Sequence, residues 1–316
     1  MIELTFVLTP LLVLLIVLLF RFVGCTSFGV EETATEMEPL NYRKYILGES
    51  NNPELVKNRN VVPIGADVIG YWRLVDTDNT VAIDENHFKD GKYRTSNDPD
   101  TVPGNFGTGQ SSLIKSDPKV LGRYFNGGFV VVPTDGKLYT DKFTIEAWVL
   151  AGFTDKSEHT LFHAGGHYRK PFDSTADNHG FRIFATGFPP SWQVSLQNGQ
   201  GVFPAPPLIP QGNEPTHLAV TVLPASTAAN TTVTIFIDGK QTVQQTVGFY
   251  SRPDGAPLLI GVMGEQSEPS DLETLAQPNV KQPMRSRIQE VVLHRKALSQ
   301  EEIENHFYIG SKEALP

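Results

Sequence analysis

The seven residues from Phe143 to Val149, FTIEAWV, constrain this chain more than any other stretch. Phe143, Ile145, Ala147 and Val149 fall on one side of an extended backbone and Thr144, Glu146 and Trp148 on the other. That period of two belongs to a β-strand. A tryptophan on the second side implies that this side is covered too, at least in part. A strand covered on both faces sits inside a layered β structure, not at an open edge.

Other runs repeat the pattern. A first strand is expected within Val61–Val75. Tyr124–Pro133 reads as two strands about the Gly127-Gly128 pair. Further strands are expected at Thr160–Ala164, Phe181–Ala185, Trp192–Gln197, His217–Val222, Thr232–Asp238, Leu258–Gly261 and Arg287–His294. Asp238-Gly239 is a two-residue hairpin signal. Val202–Pro210 carries too many prolines for a central strand. Asp84–Thr108 and Tyr168–Gly180 are polar and read as loops. One helix is well specified. Ser299-Gln-Glu-Glu302 is a capping box, Leu298 and Ile303 form a hydrophobic staple around it, and Ile303 and Phe307 share a face. Strands and helices do not alternate, which argues against a parallel α/β sheet. The expected fold is an all-β, two-sheet antiparallel sandwich with a short C-terminal helix, preceded by an N-terminal hydrophobic helix.

Leu4–Phe20 is 17 residues long, uncharged and without a polar stripe. It is short for a membrane span and long for a signal-peptide core, and it points to membrane targeting. Phe22-Val-Gly-Cys25 resembles the lipobox of bacterial lipoproteins, with Gly24 before a lipidated Cys25. It departs from that pattern at Phe22 and in having no Lys or Arg before Arg21. A lipidated Cys25 and an uncleaved helix with Arg21 snorkelling to the interface both fit this text. Thr26–Asn60 is polar, with four glutamates between Glu31 and Glu38, and reads as a tether. The expected division is 1–25 signal or anchor, 26–60 linker and 61–311 domain. A net charge of −9 argues against general nucleic-acid binding, which needs a basic patch. Cys25 is the single cysteine, so no disulfide forms within the chain.

Seven of these segments, in order, resemble the laminin G-like family of concanavalin A-type jelly rolls. They are Gly70–Leu74, Tyr124–Gly128, Phe143–Val149, His217–Thr221, Thr234–Gly239, Leu259–Gly261 and Ile288–Ser299, together covering about Val61 to Tyr308. The resemblance implies two antiparallel sheets packed face to face, with ligands held on edge loops or the concave face. Many relatives hold a structural calcium. The family's late strand commonly carries Asp just before its Glu, whereas this chain has Gln289 before Glu290. Asp76 and Asp84 are available acids but no full oxygen cage assembles, and turn capping is the favoured role. No cofactor is required; calcium is the one metal the resemblance suggests.

Glucanase relatives place paired carboxylates at alternating positions of one strand, yet Glu146 has none at 144 or 148. Glu268, Asp271 and Glu273 are the right residue types at the wrong spacing in a proline-containing loop. His159, His163, His167 and His179, with Asp173 and Asp177, form the densest set of transition-metal ligand types, but Gly165-Gly166 breaks any helix between His163 and His167. No nucleophile elbow or phosphate loop is present. The binding candidates are Trp192 and Phe188, with Tyr168 and Phe203: a proline-stiffened aromatic patch that could stack on a sugar. Core packing of Trp192 is the competing reading. The expected protein is a non-catalytic, membrane-attached domain at the cell surface or facing the periplasm, binding a glycan or a protein. A glycoside hydrolase or a structural surface module are the alternatives.

Overall fold

The computed structural model describes residues 41–49, 64–95, 105–133, 137–165, 180–187, 190–196, 202–204, 214–225, 230–253, 255–264 and 280–312. Its strands, in chain order, are β1 (Val68–Trp72), β2 (Val81–Ala82), β3 (Gly91–Thr95), β4 (Asn105–Gln110), β5 (Gly122–Asn126), β6 (Gly128–Val132), β7 (Phe143–Ala151), β8 (Glu158–Ala164) and β9 (Phe181–Thr186). They continue as β10 (Ser191–Leu196), β11 (Val202–Pro204), β12 (Thr216–Pro224), β13 (Thr231–Ile237), β14 (Lys240–Val247), β15 (Leu258–Ile260), β16 (Met263–Gly264), β17 (Val280–Lys281) and β18 (Arg285–His294). Two α-helices are described, α1 (Tyr42–Ile46) and α2 (Gln300–Ser311).

Pairing is antiparallel throughout, in two eight-stranded sheets and a small β16–β17 ribbon. The first sheet runs β14-β13-β12-β7-β18-β5-β4, with β1 also on β18. The second runs β11-β10-β9-β8-β15-β6-β3-β2. Their facing side chains make one core. Phe143, Ile145, Ala147 and Val149 of β7 meet Val130 and Val132 of β6, Leu161 of β8, Ile183 of β9 and Trp192 and Val194 of β10. This is the expected two-layer sandwich, with β7 at the centre of its sheet.

The other face of β7 is also buried. Thr144 and Glu146 are fully enclosed and Trp148 is 2% exposed. A second apolar cluster forms there from Trp148, Tyr42, Tyr45, Ile46, Tyr71, Val292 and Ile309. Helices α1 and α2 both cover this face, α1 through Tyr42, Tyr45 and Ile46 and α2 through Ile309 and Phe307. The N-terminus of α2 has the expected capping box: Ser299 Oγ accepts from the Glu302 amide, and the Glu302 carboxylate accepts from the Ser299 amide. Leu298 and Ile303 pack on Ala219 and Phe236, so the staple seats the helix on the sheet. Thr144 Oγ1 accepts from the Leu298 amide at 2.8 Å and donates to the Lys296 carbonyl, pinning the turn before the helix to the middle of β7.

The structure departs from the sequence-based expectation in three places. Within Asp84–Thr108, expected to be loop, lie β3 and the start of β4. These are outlying strands whose glycines and charges hide the period of two, although Gly91 and Tyr93 are buried while Lys92 is exposed. Gly127-Gly128 does separate two strands, but β5 and β6 belong to opposite sheets, so the connection is an arch between layers. Gly127, at φ 90°, makes it. Finally, residues 41–49 fall inside the stretch expected to be a tether, yet Tyr42, Tyr45 and Ile46 are buried on the first sheet and the compact unit begins at Pro39. Three apolar residues in one helical turn are too short a signal amid polar text. Asp238 and Gly239, both at positive φ, form the expected β13–β14 hairpin. β11 lies at a sheet edge, a place that tolerates its Pro204. Leu4–Phe20 lies outside the described residues, and among those described no helix is long and apolar enough to cross a membrane.

The docking of α2 generates a test. A Cβ at Gly310 would lie 2.3 Å from Trp148 Cζ2. Trp148 cannot swing away, being stacked on Phe307 at 5.8 Å and edge-on to Tyr42 at 6.3 Å. Alanine gains up to about 1 kcal/mol of helix propensity over glycine, while overpacking costs about 1–3 kcal/mol or more. Gly310→Ala should therefore lower stability in urea unfolding despite being the better helix former. An unchanged or raised midpoint would show that α2 does not sit this close.

Candidate ligand-binding groove

The outer face of the first sheet is only partly covered by α2. Where the helix begins, a groove of about 360 Å³ stays open between its first turn and the strands β12, β13 and β14. Strand periodicity places its lining. Val233, Ile235 and Ile237 of β13 point into the sandwich core, so Thr232, Thr234 and Phe236 point outward. Thr221 and Leu223 of β12 lie beside them, Gln241 and Gln244 of β14 beyond, and Lys296–Gln300 and Glu302 close the far wall. Phe236, 4% exposed, is a mostly buried apolar element of the lining, while Leu223 is half exposed at the rim.

The groove's exposed surface is mostly apolar, with hydroxyls and carboxamides set into it, and among the described residues its charges are paired. Gln244 Nε2 donates to Thr234 Oγ1 at 3.2 Å. Lys296 Nζ donates to Glu302 Oε1 at 2.6 Å and lies 3.3 Å from Asp67 Oδ2. Partial burial would lower the Lys296 ammonium, but these carboxylates outweigh it and raise it. Burial likewise works to raise Glu302, and Lys296 with the Ser299 amide holds it below its ordinary value. Among the described residues, the one cation and one carboxylate lining the groove thus neutralise each other. What remains for a ligand is hydroxyls, carboxamides and an apolar patch. That is the chemistry of a neutral hydrogen-bonding ligand with one apolar face.

Beneath α2 lies a second polar constellation. Glu146 of β7 is fully buried and meets three imidazoles from three other elements. His294 Nε2 of β18 is 2.7 Å from Oε1, His306 Nδ1 of α2 is 2.7 Å from Oε1 and 3.0 Å from Oε2, and His217 Nε2 of β12 is 3.1 Å from Oε2. Burial alone would raise the Glu146 carboxyl; interaction with His306 and the three imidazole hydrogen bonds outweigh it and hold it well below the usual carboxylate range. A third network surrounds Glu290, which sits at a β-bulge with φ 55°. Its carboxylate accepts from Tyr71 Oη, from Arg73 at 3.0 Å and from Gln289 Nε2 at 3.1 Å.

The sequence-derived candidates scatter. Trp192 is 1% exposed in the inter-sheet core beside Val194 and Leu196, so it offers no stacking face; the period of two along β10 sends it inward. Phe203 lies on β11, paired with Val194. Tyr168, Phe188 and Cys25 lie outside the described residues, as do His167, His179, Asp173, Asp177, Glu268, Asp271 and Glu273. His159 and His163 are not brought together as ligands. His159 bonds Asp155 at 2.7 Å and the Pro283 carbonyl at 2.9 Å, whereas His163 Nδ1 accepts from the Gly264 amide. Asp84 accepts from the amides of Tyr71, Asn86, Phe88 and Lys89. Asp76 accepts from Tyr93 Oη at 2.7 Å. Asp84 therefore holds a turn, and Asp76 ties down the Tyr93 side chain of β3. Sequence reasoning missed the groove and the Glu146 cluster because both are made by cross-strand neighbours. The available signals were the outward Thr232 and Thr234 of β13 and the histidines at His217 and His294.

A two-sheet antiparallel sandwich with a neutral groove on its outer face has the architecture of a lectin-like jelly roll. The chain belongs to the concanavalin A-like lectin/glucanases superfamily, whose family model matches residues 125–304. No curated protein matches it. Among solved structures, it is similar to a Trypanosoma rangeli sialidase in complex with 2,3-difluoro-KDN, at 17% identity and TM-score 0.50, over 78% of this chain but only 34% of the sialidase. Domain 4 of the extracellular GH43 arabinanase AbnA from Geobacillus stearothermophilus, in complex with arabinotriose, aligns at 13% identity and TM-score 0.49, over 76% of this chain and 98% of that domain. The likeness to the sialidase concerns the fold alone.

The Asp84 geometry predicts a structural role. Asp84→Ala removes a fully buried carboxylate and orphans four amides, at about 1.5–3 kcal/mol for the stronger charge-assisted bonds. Thermal unfolding should show a lowered midpoint that added calcium does not restore. A calcium-dependent midpoint in the wild type that Asp84→Ala abolishes would instead make Asp84 a ligand.

Proposed function

We propose that this protein is a membrane-attached, non-catalytic binding domain that takes a neutral carbohydrate in the groove between β12–β14 and the start of α2. The observation that carries this reading is the composition of that groove. Hydroxyls of Thr221, Thr232 and Thr234 and carboxamides of Gln241, Gln244 and Gln300 are gathered beside Phe236, and the charges among the described lining residues are paired to each other. Sugars present equatorial hydroxyls around an apolar ring face, and such a lining serves both parts. Membership of a lectin/glucanase superfamily supports the same class of ligand. A protein loop rich in hydroxyls and amides is the second reading.

Hydrolysis has less support. Glycosidases of the usual type flank the scissile bond with two carboxyl groups. Among the described residues Glu302 is the one carboxylate lining the groove, and it is spent on the helix cap and Lys296. Glu146 is sealed beneath α2.

A glycan array on the purified protein should return binding to neutral saccharides. Gln244→Ala and Thr234→Val should each weaken that binding about 3- to 10-fold, the value of one neutral hydrogen bond, without changing the free energy of unfolding by more than about 1 kcal/mol. Saccharide binding untouched by both variants would remove the ligand from this groove, and sugar released from a polysaccharide panel would make the protein an enzyme.

The attachment has its own test. The protein should partition into the membrane fraction, and mass spectrometry of the mature chain should find either a diacylated Cys25 at its start or an intact Leu4–Phe20 segment. A water-soluble mature chain lacking both would contradict the anchor.

A further inference from the structure

The Glu146 cluster has chemistry that ligand binding in the groove does not use. It unites four elements at full burial: β7, β12, β18 and α2. The donors of Glu146, His294 and His306 lie within 4.8 Å of one another, close enough for a metal ion to be considered. Two features favour protons instead. The 2.7 Å contacts from His294 and His306 are hydrogen-bond distances. A metal-bound imidazole also donates its remote N–H to a second partner. Among the described residues His217 Nδ1, His294 Nδ1 and His306 Nε2, the three remote nitrogens, have no such partner. The arrangement fits imidazoles that each give one N–H to Glu146 and turn a bare lone pair toward apolar neighbours.

That geometry limits how many protons the cluster can hold. One carboxylate can match one imidazolium. A second added proton would create a buried charge without a counter-charge, on a nitrogen without an acceptor, and both penalties are large in an enclosed site. One further carboxylate lies near: Asp238, at the β13–β14 turn, accepts from the His217 amide at 2.9 Å and favours a charge on that ring. For His294 and His306, among the described residues, the other titratable groups close by are Tyr42 and Tyr45 from α1, the latter edge-on to His306 at 5.7 Å, and the cationic Lys296 before α2, whose effect opposes a charge on His294. Every partner of the cluster sits in a continuous strand except His306, which rides on a 12-residue helix. When protonation makes the cluster untenable, the helix is the element free to leave.

We propose that Glu146, His217, His294 and His306 form an acid-sensitive latch that releases α2 as pH falls below neutrality. Because Lys296–Gln300 and Glu302 form one wall of the groove, release also opens the groove and discharges its ligand. This last consequence rests on the groove reading above; the latch itself does not.

The titration signs agree. Burial, first of all, depresses His294 below its ordinary 6.5, so its contribution to docking is present above that pH and is lost as pH falls. Glu146 is held below its ordinary 4.5, so its contribution is likewise lost only on the acid side. Both groups therefore weaken docking in acid and neither weakens it in base.

Hydrogen exchange of the purified protein, corrected for the intrinsic pH dependence of exchange, tests the latch. Between about pH 7.5 and pH 5, amides of 300–311 should lose protection at least 10-fold, reversibly, while those of β12 and β13 keep theirs. His294→Gln with His306→Asn retains an amide donor toward each carboxylate oxygen but cannot take a proton. In that variant the loss should move at least about one pH unit lower. The wild-type measurement stands even if the variant fails to fold. Loss of protection in α2 and β12 at the same pH would overturn the proposal, as would unchanged protection of α2 across the range or stoichiometric metal in the purified protein whose removal unfolds it. Release of α2 with saccharide still bound would uphold the latch and overturn the groove.

Discussion

A carboxylate cannot sit on the outer face of a sheet beneath a helix unless its charge is answered there, and the answer given to Glu146 organises half of this molecule. Burying an ionised carboxyl without partners costs far more than a domain's whole margin of stability. Four elements bring donors or cover to that one group: β12 through His217, β18 through His294, α2 through His306, and α1 through Tyr45 packed against His306. Trp148, two residues further along the same face, adds the apolar half of the seal with Phe307 and Tyr42. None of these residues belongs to the inter-sheet core; they make the outer layer, and the start of its helix α2 forms the groove's second wall.

Seen from that layer, helix α2 has two ends with different work. Its first turn is fixed by a capping box, a staple and Thr144, and it borders the groove. Its body carries His306 and Gly310 onto Glu146 and Trp148. Movement in the body is therefore felt at the groove, because a short helix packed on a flat sheet moves largely as a rigid piece.

The amino-acid sequence reveals the parts of this that are periodic or local. Phe143–Val149 shows two covered faces because Trp148 is too large and apolar to leave in water. Ser299–Glu302 shows the helix start because a capping box is four consecutive residues. Asp238-Gly239 shows the hairpin because type I′ geometry needs two positive φ angles. What stays hidden is lateral. Glu146 meets histidines 71, 148 and 160 residues away, and nothing along β7 announces them. Inspection of positions 144 and 148 asks the wrong question of Glu146, whose partners lie across strands rather than along one. Trp192 misleads for the opposite reason. Its neighbours Phe188-Pro-Pro-Ser191 look like an exposed loop, but the strand begins at Ser191 and turns the indole inward. β3 and β4 escape notice because outlying strands tolerate glycine and charge, which removes the contrast that periodicity depends on.

The central claim, that the outer layer closes on Glu146, is tested most directly by the protonation state of the three imidazoles, read by nitrogen-15 NMR of the histidine rings at neutral pH. The structure requires a slowly exchanging proton on Nε2 of His217 and of His294 and on Nδ1 of His306, each directed at Glu146, with at most one ring doubly protonated. Fast-exchanging rings, the opposite tautomers or metal-shifted nitrogens would each mean that Glu146 is not the centre on which that layer closes.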